Sequence, residues 1–188
     1  KNQIKNALRN FKGVKRRFTL VAKINKNKIF DDYAHHPKEI SATLTALKQI
    51  SKGKIIAIYE PHRFSRLKDL FADFSSCFIK ADLIFILPVF AAGEKKIKGF
   101  DSKKLVIGIR KKIKKEVYLV GSEKSLFFEI KKKIQPYDNV IFLFKLLFLL
   151  LKRKGIIQSN YDVGKKTWFG TGGKAKVFFQ PECLNDLS

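Results

Sequence analysis

Three short polar stretches hold most of the side chains able to do chemistry. The first is Asp31-Asp32-Tyr33-Ala34-His35-His36-Pro37-Lys38-Glu39. Its two histidines and three carboxylates are metal-ligand types. Their spacing does not suit a shared ion, because neighbours in a strand or turn point to different sides and Pro37 then opens a helix. No metal is assigned to them. Two readings stay open: a capped helix N-terminus, or a small-molecule site at the end of a strand. The second stretch is Pro61-His62-Arg63-Phe64-Ser65-Arg66. Arg63 and Arg66 are three residues apart at the opening of a helix and can share one face. Two guanidinium forks there suit a carboxylate or a phosphate, and the plain alternative is a pair of solvated arginines. The third, Gly13-Val14-Lys15-Arg16-Arg17-Phe18, runs straight into an apolar segment and puts Arg17 at a junction.

The composition bounds what these stretches can belong to. Of 188 residues, 45% are hydrophobic and 13% aromatic, which supports a packed core and excludes wholesale disorder. Lys+Arg is 40 against 16 Asp+Glu, a net charge of +24, which points to an anionic partner class. Only seven of those 40 are arginine. The surplus is lysine, accompanied by abundant Asn, Ile and Phe, the pattern of A/T-rich codons spread over a solvated surface. An arginine that persists against such a bias marks a place where the planar fork is needed. Cys77 and Cys183 form neither a metal motif nor a disulfide framework, so a reducing, cytoplasmic setting is expected. With no signal peptide and no methionine, even at position 1, the chain reads as a piece of something longer.

The elements that must position the three stretches follow from periodicity. Residues 18–24 and 28–33 read as two strands around an Asn/Lys turn, and 54–59, 82–87, 116–120 and 139–144 as four more. Residues 37–50 read as a helix with Ile40, Leu44 and Leu47 inward. A second helix is expected over 67–78, and others over 102–115 and 122–134. Alternation of strand and helix with short loops predicts an α/β fold, a Rossmann-like, mostly parallel sheet flanked by helices, with a short C-terminal extension. Ligands gather at the carboxyl ends of such strands, where 31–36 and 60–66 both lie. The apolar run 140–151 contains Lys145 and falls short of the roughly 20 residues of a membrane span. The expected layout is a domain over 1–151, a polar linker over 152–166, and a further segment over 167–188.

Taken in order, Gly-Val-Lys-Arg-Arg-Phe, Asp-Asp-Tyr-Ala-His-His-Pro-x-Glu-Ile, Pro-His-Arg-Phe-Ser-Arg and Ala91-Ala92-Gly93-Glu94 resemble the C-terminal domain of the Mur ligases. The resemblance covers about residues 1–143 and is nearest to the branch that joins L-alanine to UDP-N-acetylmuramate in peptidoglycan precursor synthesis. It implies an ADP-forming ligase using ATP and Mg²⁺ through an acyl phosphate. Tyr33, His35, His62, Arg63 and Arg66 would line the alanine pocket. Arg17 and Asp32 would face the nucleotide as catalytic groups. No G-x-x-x-x-G-K-[ST] loop is present, so the ATP-binding and UDP-binding domains are expected elsewhere in cis, and this piece is expected to be inactive alone. Phe144-Lys145-Leu146-Leu147 stands where the family has a Gly-Ala-Gly turn. Lys38 and Glu60 stand where Thr and Gln are frequent in it.

A second resemblance lies in the tail. Thr167-Trp168-Phe169-Gly170-Thr171-Gly172-Gly173, followed by Val177-Phe178-Phe179-Gln180-Pro181-Glu182, is similar to the start of UDP-N-acetylenolpyruvoylglucosamine reductases, which use FAD and NADPH. That implies a fused or read-through pair of enzymes, with only the beginning of the FAD-binding domain present. The alternatives are a basic α/β module that binds nucleic acid, or an inactive gene remnant. The lysines are dispersed and no nucleic-acid motif is found, so no nucleic-acid partner is expected.

Overall fold

The computed structural model describes residues 4–5, 16–144, 156–162 and 174–180. The chain divides into two compact units, Lys1–Leu146 and Leu147–Ser188.

The first unit is built on a six-stranded sheet. β1 (Thr19–Ile24) and β2 (Asn27–Asp32) form an antiparallel hairpin that turns at Asn25, whose φ of 53° is a left-handed conformation asparagine tolerates. The other strands are β3 (Ile55–Tyr59), β4 (Leu83–Ile86), β5 (Glu116–Leu119) and β6 (Asn139–Leu143). The sheet order is β1-β2-β6-β3-β4-β5, and every pairing other than β1 with β2 is parallel. The last strand in the chain therefore lies between the second and the third.

Five helices connect the strands: α1 (Pro37–Ile50), α2 (Phe64–Asp69), α3 (Phe71–Phe74), α4 (Ser102–Ile113) and α5 (Glu123–Lys133). Phe30, Ile141, Ala57, Ile84 and Val117 form one register row across the sheet, all buried. Ile40, Leu44 and Leu47 of α1 and Leu105, Val106 and Ile109 of α4 join the same core. This is the mostly parallel α/β arrangement that the alternating pattern predicts.

Two expectations are corrected. The single helix expected over 67–78 is two short ones, divided at Leu70, whose ψ of 24° leaves helical geometry. The second stops at Phe74 because Ser75 and Ser76 donate their hydroxyls to the carbonyls of Phe71 and Asp73, at 2.8 and 3.1 Å, and so compete with continuation of the helix. The linker expected over 152–166 contains strand β7 (Ile156–Asp162). It pairs antiparallel with β8 (Lys174–Gln180) in the second unit, and the division between units falls at 146/147. Residues 167–173, which carry most of the reductase-like motif, and 145–151 of the apolar run lie outside the described residues. Among the described residues no helix is long and apolar enough to cross a membrane.

At the carboxyl end of β3, Tyr59 is fully buried, stacked on Phe74 at 5.7 Å and tilted against Phe78 at 5.4 Å. Its hydroxyl has no protein hydrogen-bond partner, and burial raises its pKa. An unpaired buried polar group costs about 1–3 kcal/mol. Tyr59→Phe should therefore leave the midpoint of thermal unfolding unchanged or raise it. A fall of several degrees would show that the hydroxyl is satisfied.

Candidate functional site

Three adjacent strands, β2, β6 and β3, deliver their following loops to one edge of the sheet. Alternation along β2 sends Asp31 and Asp32 to opposite faces. Asp32 is only 5% exposed, and its carboxylate is occupied by the molecule's own donors. Oδ1 accepts from the Ala34 amide at 2.7 Å, and Oδ2 from the Phe18 amide at 2.8 Å and the Thr43 hydroxyl of α1 at 3.2 Å. On the other face, Asp31 Oδ2 accepts from Arg16 Nε at 3.1 Å. Burial raises the Asp31 pKa, and Arg16 acts in the opposite direction. Arg16 Nη2 also donates to the carbonyl of Phe144 at 2.9 Å, and the Arg16 guanidinium lies 4.9 Å from the centre of the Tyr33 ring. The Tyr33 amide donates back to the Arg16 carbonyl at 2.8 Å.

The same loop then opens α1. Glu39 Oε2 accepts from the amides of His35 and His36 at 3.0 and 3.2 Å, and His36 Nδ1 accepts from the Lys38 amide at 3.3 Å. The cap is thus His36 with Glu39, and these bonds hold the Glu39 pKa below the usual carboxylate range against the upward pull of burial. His35 Nδ1 faces two acceptors, the Tyr33 carbonyl at 3.0 Å and Glu39 Oε2 at 3.6 Å. A proton is therefore assigned to Nδ1.

The loop after β3 is pinned to the loop after β4. Phe90 donates its amide to the Pro61 carbonyl at 2.8 Å, and Arg63 donates its amide to the Phe90 carbonyl at 2.9 Å. Arg63 holds φ at 69°, a conformation that costs a non-glycine residue about 1–2 kcal/mol. Glu94 reaches over to α2 and accepts from the Ser65 hydroxyl at 2.7 Å and the Ser65 amide at 3.0 Å, contacts that lower its pKa. Arg66 Nη1 donates to His62 Nδ1 at 3.3 Å, which assigns the His62 proton to Nε2.

These loops bring the rings together. His62 lies 4.3 Å from Phe144 and 5.4 Å from Phe90, centroid to centroid. Tyr33 is 5.2 Å from His35 and 5.1 Å from Phe144, and the two histidines are 6.4 Å apart. Of the residues expected at the site, Tyr33, His35, His62 and Arg66 thus form one connected cluster. Arg63 is exposed at its rim. Arg17, with a side chain 51% exposed, lies 5.6 Å from the Tyr33 ring centre and 4.0 Å from Glu39. Asp32 lies beneath the loop with both carboxylate oxygens bonded to donors of this chain. Sequence reasoning missed Arg16, Phe90 and Phe144. The scarcity of arginine flagged Arg16 as much as Arg17, Phe90 read as an ordinary apolar residue, and Phe144 stood out only as a departure from the family's Gly-Ala-Gly turn.

The cluster suits recognition more than bond-making. Guanidinium forks are available for a carboxylate or phosphate, beside two imidazoles and a phenol. Among the described residues, no group of three His, Cys, Asp or Glu side chains could hold a metal ion.

A mostly parallel α/β sheet whose β2, β3 and β6 loops assemble an arginine- and histidine-rich cluster defines an α/β domain of Rossmann-like type. Residues 16–144 match the family pattern described as Mur ligase, glutamate ligase domain, and the chain belongs to that family. It is 49% identical over 140 residues to a UDP-N-acetylmuramate–L-alanine ligase of Allorhizobium ampelinum, covering 74% of this chain and 30% of that protein. It is 56% identical over 111 residues to the enzyme of the same name from Rickettsia felis, covering 57% and 23%. The chain thus spans less than a third of the length of these relatives. The solved UDP-N-acetylmuramate-alanine ligase of Thermotoga maritima has the same fold, with a TM-score of 0.58 at 24% identity over 77% of this chain and 30% of that one. A murein peptide ligase of Psychrobacter arcticus superposes with a TM-score of 0.58 at 22% identity, over 73% and 28%.

Burial lowers the His62 pKa, and the neighbouring Arg66 and Arg63 lower it further. The ring is then neutral at pH 7, and its contribution to stability declines as pH falls through the folded-state pKa. An NMR titration of His62 should give a midpoint below the usual 6.5 of histidine. Arg66→Gln should raise that midpoint part of the way, since burial remains. A His62 midpoint at or above 6.5 in the unsubstituted chain would contradict this arrangement.

Proposed function

We propose that residues 16–144 are the amino-acid-binding domain of a ligase that adds L-alanine to UDP-N-acetylmuramate in peptidoglycan precursor synthesis. The observation that carries this reading is the convergence of Tyr33, His35, His62 and Arg66 from two separate loops onto one sheet edge, with Arg63 at the rim. The names of the relatives support the choice of substrates.

In this reading Arg63 and Arg66 take the carboxylate of alanine, and Tyr33, His35 and His62 form the wall that orients its amine. ATP and Mg²⁺, held by other parts of the complete enzyme, supply the phosphoryl group that activates the substrate carboxylate. The contribution of these residues is to hold the amine in line for attack and to keep water away, which is catalysis by positioning. Arg17, largely exposed beside Tyr33, is the cation able to approach the phosphoryl group when domains close. Asp32 acts indirectly, by fixing the loop that carries Tyr33 and His35. The setting is cytoplasmic, where the nucleotide-linked substrates are made.

Residues 167–188 are read as the start of a UDP-N-acetylenolpyruvoylglucosamine reductase. The Trp168-Phe169-Gly170-Thr171-Gly172-Gly173 motif and the β7–β8 pairing around it support that reading. FAD and NADPH would then belong to the completed partner. Sequencing the source DNA downstream of codon 188 tests this, and an open frame without the rest of an FAD domain would refute it.

The pocket assignment is tested in the complete ligase. Arg66→Lys replaces a planar fork by a point charge and should raise KM for L-alanine about tenfold or more while leaving KM for ATP nearly unchanged. Equal changes in the two KM values would remove Arg66 from the alanine pocket.

A further inference from the structure

We propose that Phe144 acts as an internal competitor for the amino-acid pocket, its ring taking space between His62 and Tyr33 that a bound ligand would otherwise use. The inference rests on the reading that these residues form that pocket.

Three observations converge on Phe144. Its ring touches the rings assigned to the site, at centroid distances of 4.3 Å from His62, 5.1 Å from Tyr33 and 5.7 Å from His35. Its backbone holds φ at 68°, a left-handed conformation that suits glycine or asparagine and is unfavourable for a bulky side chain. That conformation is fixed from outside the residue. The Phe144 amide donates to the Asp32 carbonyl at 2.9 Å, and its carbonyl accepts from Arg16 Nη2 at 2.9 Å. The chain therefore leaves β6 in a set direction, and whatever side chain stands at 144 is delivered onto the histidines. Core packing does not account for the placement, because Phe144 is only half-buried and lies outside the main hydrophobic cluster. An aromatic held in a costly backbone conformation over polar site residues behaves as a ligand that the chain supplies to itself. Any free ligand then binds only the fraction of molecules in which the ring has moved aside, and its apparent affinity falls by that fraction.

The test uses the full 188-residue chain with Phe144→Gly, which suits the left-handed backbone, and Phe144→Asn as a second variant. Two readouts separate the competitor from the pocket reading. Acylation of imidazole by diethyl pyrocarbonate reports access to His62, with His36, which makes no ring contact to Phe144, as internal reference. Chemical-shift titration with L-alanine reports ligand affinity. The expected result is a His62-to-His36 reactivity ratio several-fold higher in both variants, with L-alanine bound at least tenfold more tightly than by the unsubstituted chain. An unchanged His62 reactivity would overturn the inference. So would equal L-alanine affinity in the unsubstituted chain and the variants, which leaves the pocket reading intact. Unmasking of His62 with no L-alanine response in any form would instead overturn the pocket reading, and with it the claim that Phe144 competes for that ligand.

Discussion

The site edge depends on one buried carboxylate. Taking a charge out of water is costly unless its lone pairs are satisfied, and Asp32 meets that condition by gathering three donors from separate segments: the Phe18 amide before β1, the Ala34 amide in its own loop and the Thr43 hydroxyl of α1. Hydrogen bonds to a charged group each contribute about 1.5–3 kcal/mol, so the set binds the hairpin, the loop and the helix as one piece. The pleat then sends Asp31 to the opposite face, where Arg16 closes on it and continues to the Phe144 carbonyl. Residues 33–36 are thus clamped from both faces of the sheet. Tyr33 and His35 inherit their positions from two aspartates that make no use of their own charge outside the fold.

Arginine and lysine divide the labour in this chain. Among the five described arginines, four (Arg16, Arg17, Arg63 and Arg66) lie at the carboxyl edge of β2 and β3. The fifth, Arg110, uses both Nε and Nη2 on the single carbonyl of Val117. Arg16 and Arg110 each use two guanidinium nitrogens, a geometry lysine lacks. Lysines instead crowd the last turns of α4 and α5, where they favour the helix dipole, and Lys133 also donates to the Tyr118 hydroxyl at 3.0 Å. The large net charge is spread over lysines along the whole chain, and the local chemistry at the site edge is set by a few arginines.

Much of this was legible in the residues. The apolar stripe of α1, the short all-apolar strands β3 and β4, and the placement of both polar loops after strands follow from periodicity and Pro37 alone. The interruption between α2 and α3 did not, because its apolar spacing is that of one continuous helix and the break shows only in the backbone angles of Leu70. Strand order is also invisible in a periodic pattern: nothing local to 139–143 says that it lies between β2 and β3. Within the site, His35, His62 and Arg66 were accessible as polar residues after strands. Phe90 and Phe144 were not recognised there, since nothing local to either residue says that its ring lies against His62.

The position of β6 has a temporal consequence for a chain made from its N-terminus. β2 and β3 never pair with each other; both pair with β6, the last of the six strands to leave the ribosome. Until residues 139–143 emerge, the hairpin with its aspartate clamp and the β3–β4–β5 half have no backbone bond between them. The two loops that carry Tyr33 and His62 are then unregistered with respect to each other. Insertion of a single five-residue strand closes the sheet and assembles the site in the same event. Such pairing across more than a hundred residues of sequence is slow to find, so the half-sheets present unpaired edges until β6 has emerged. In this fold, completion of the ligand cluster is a report that translation has passed the end of β6.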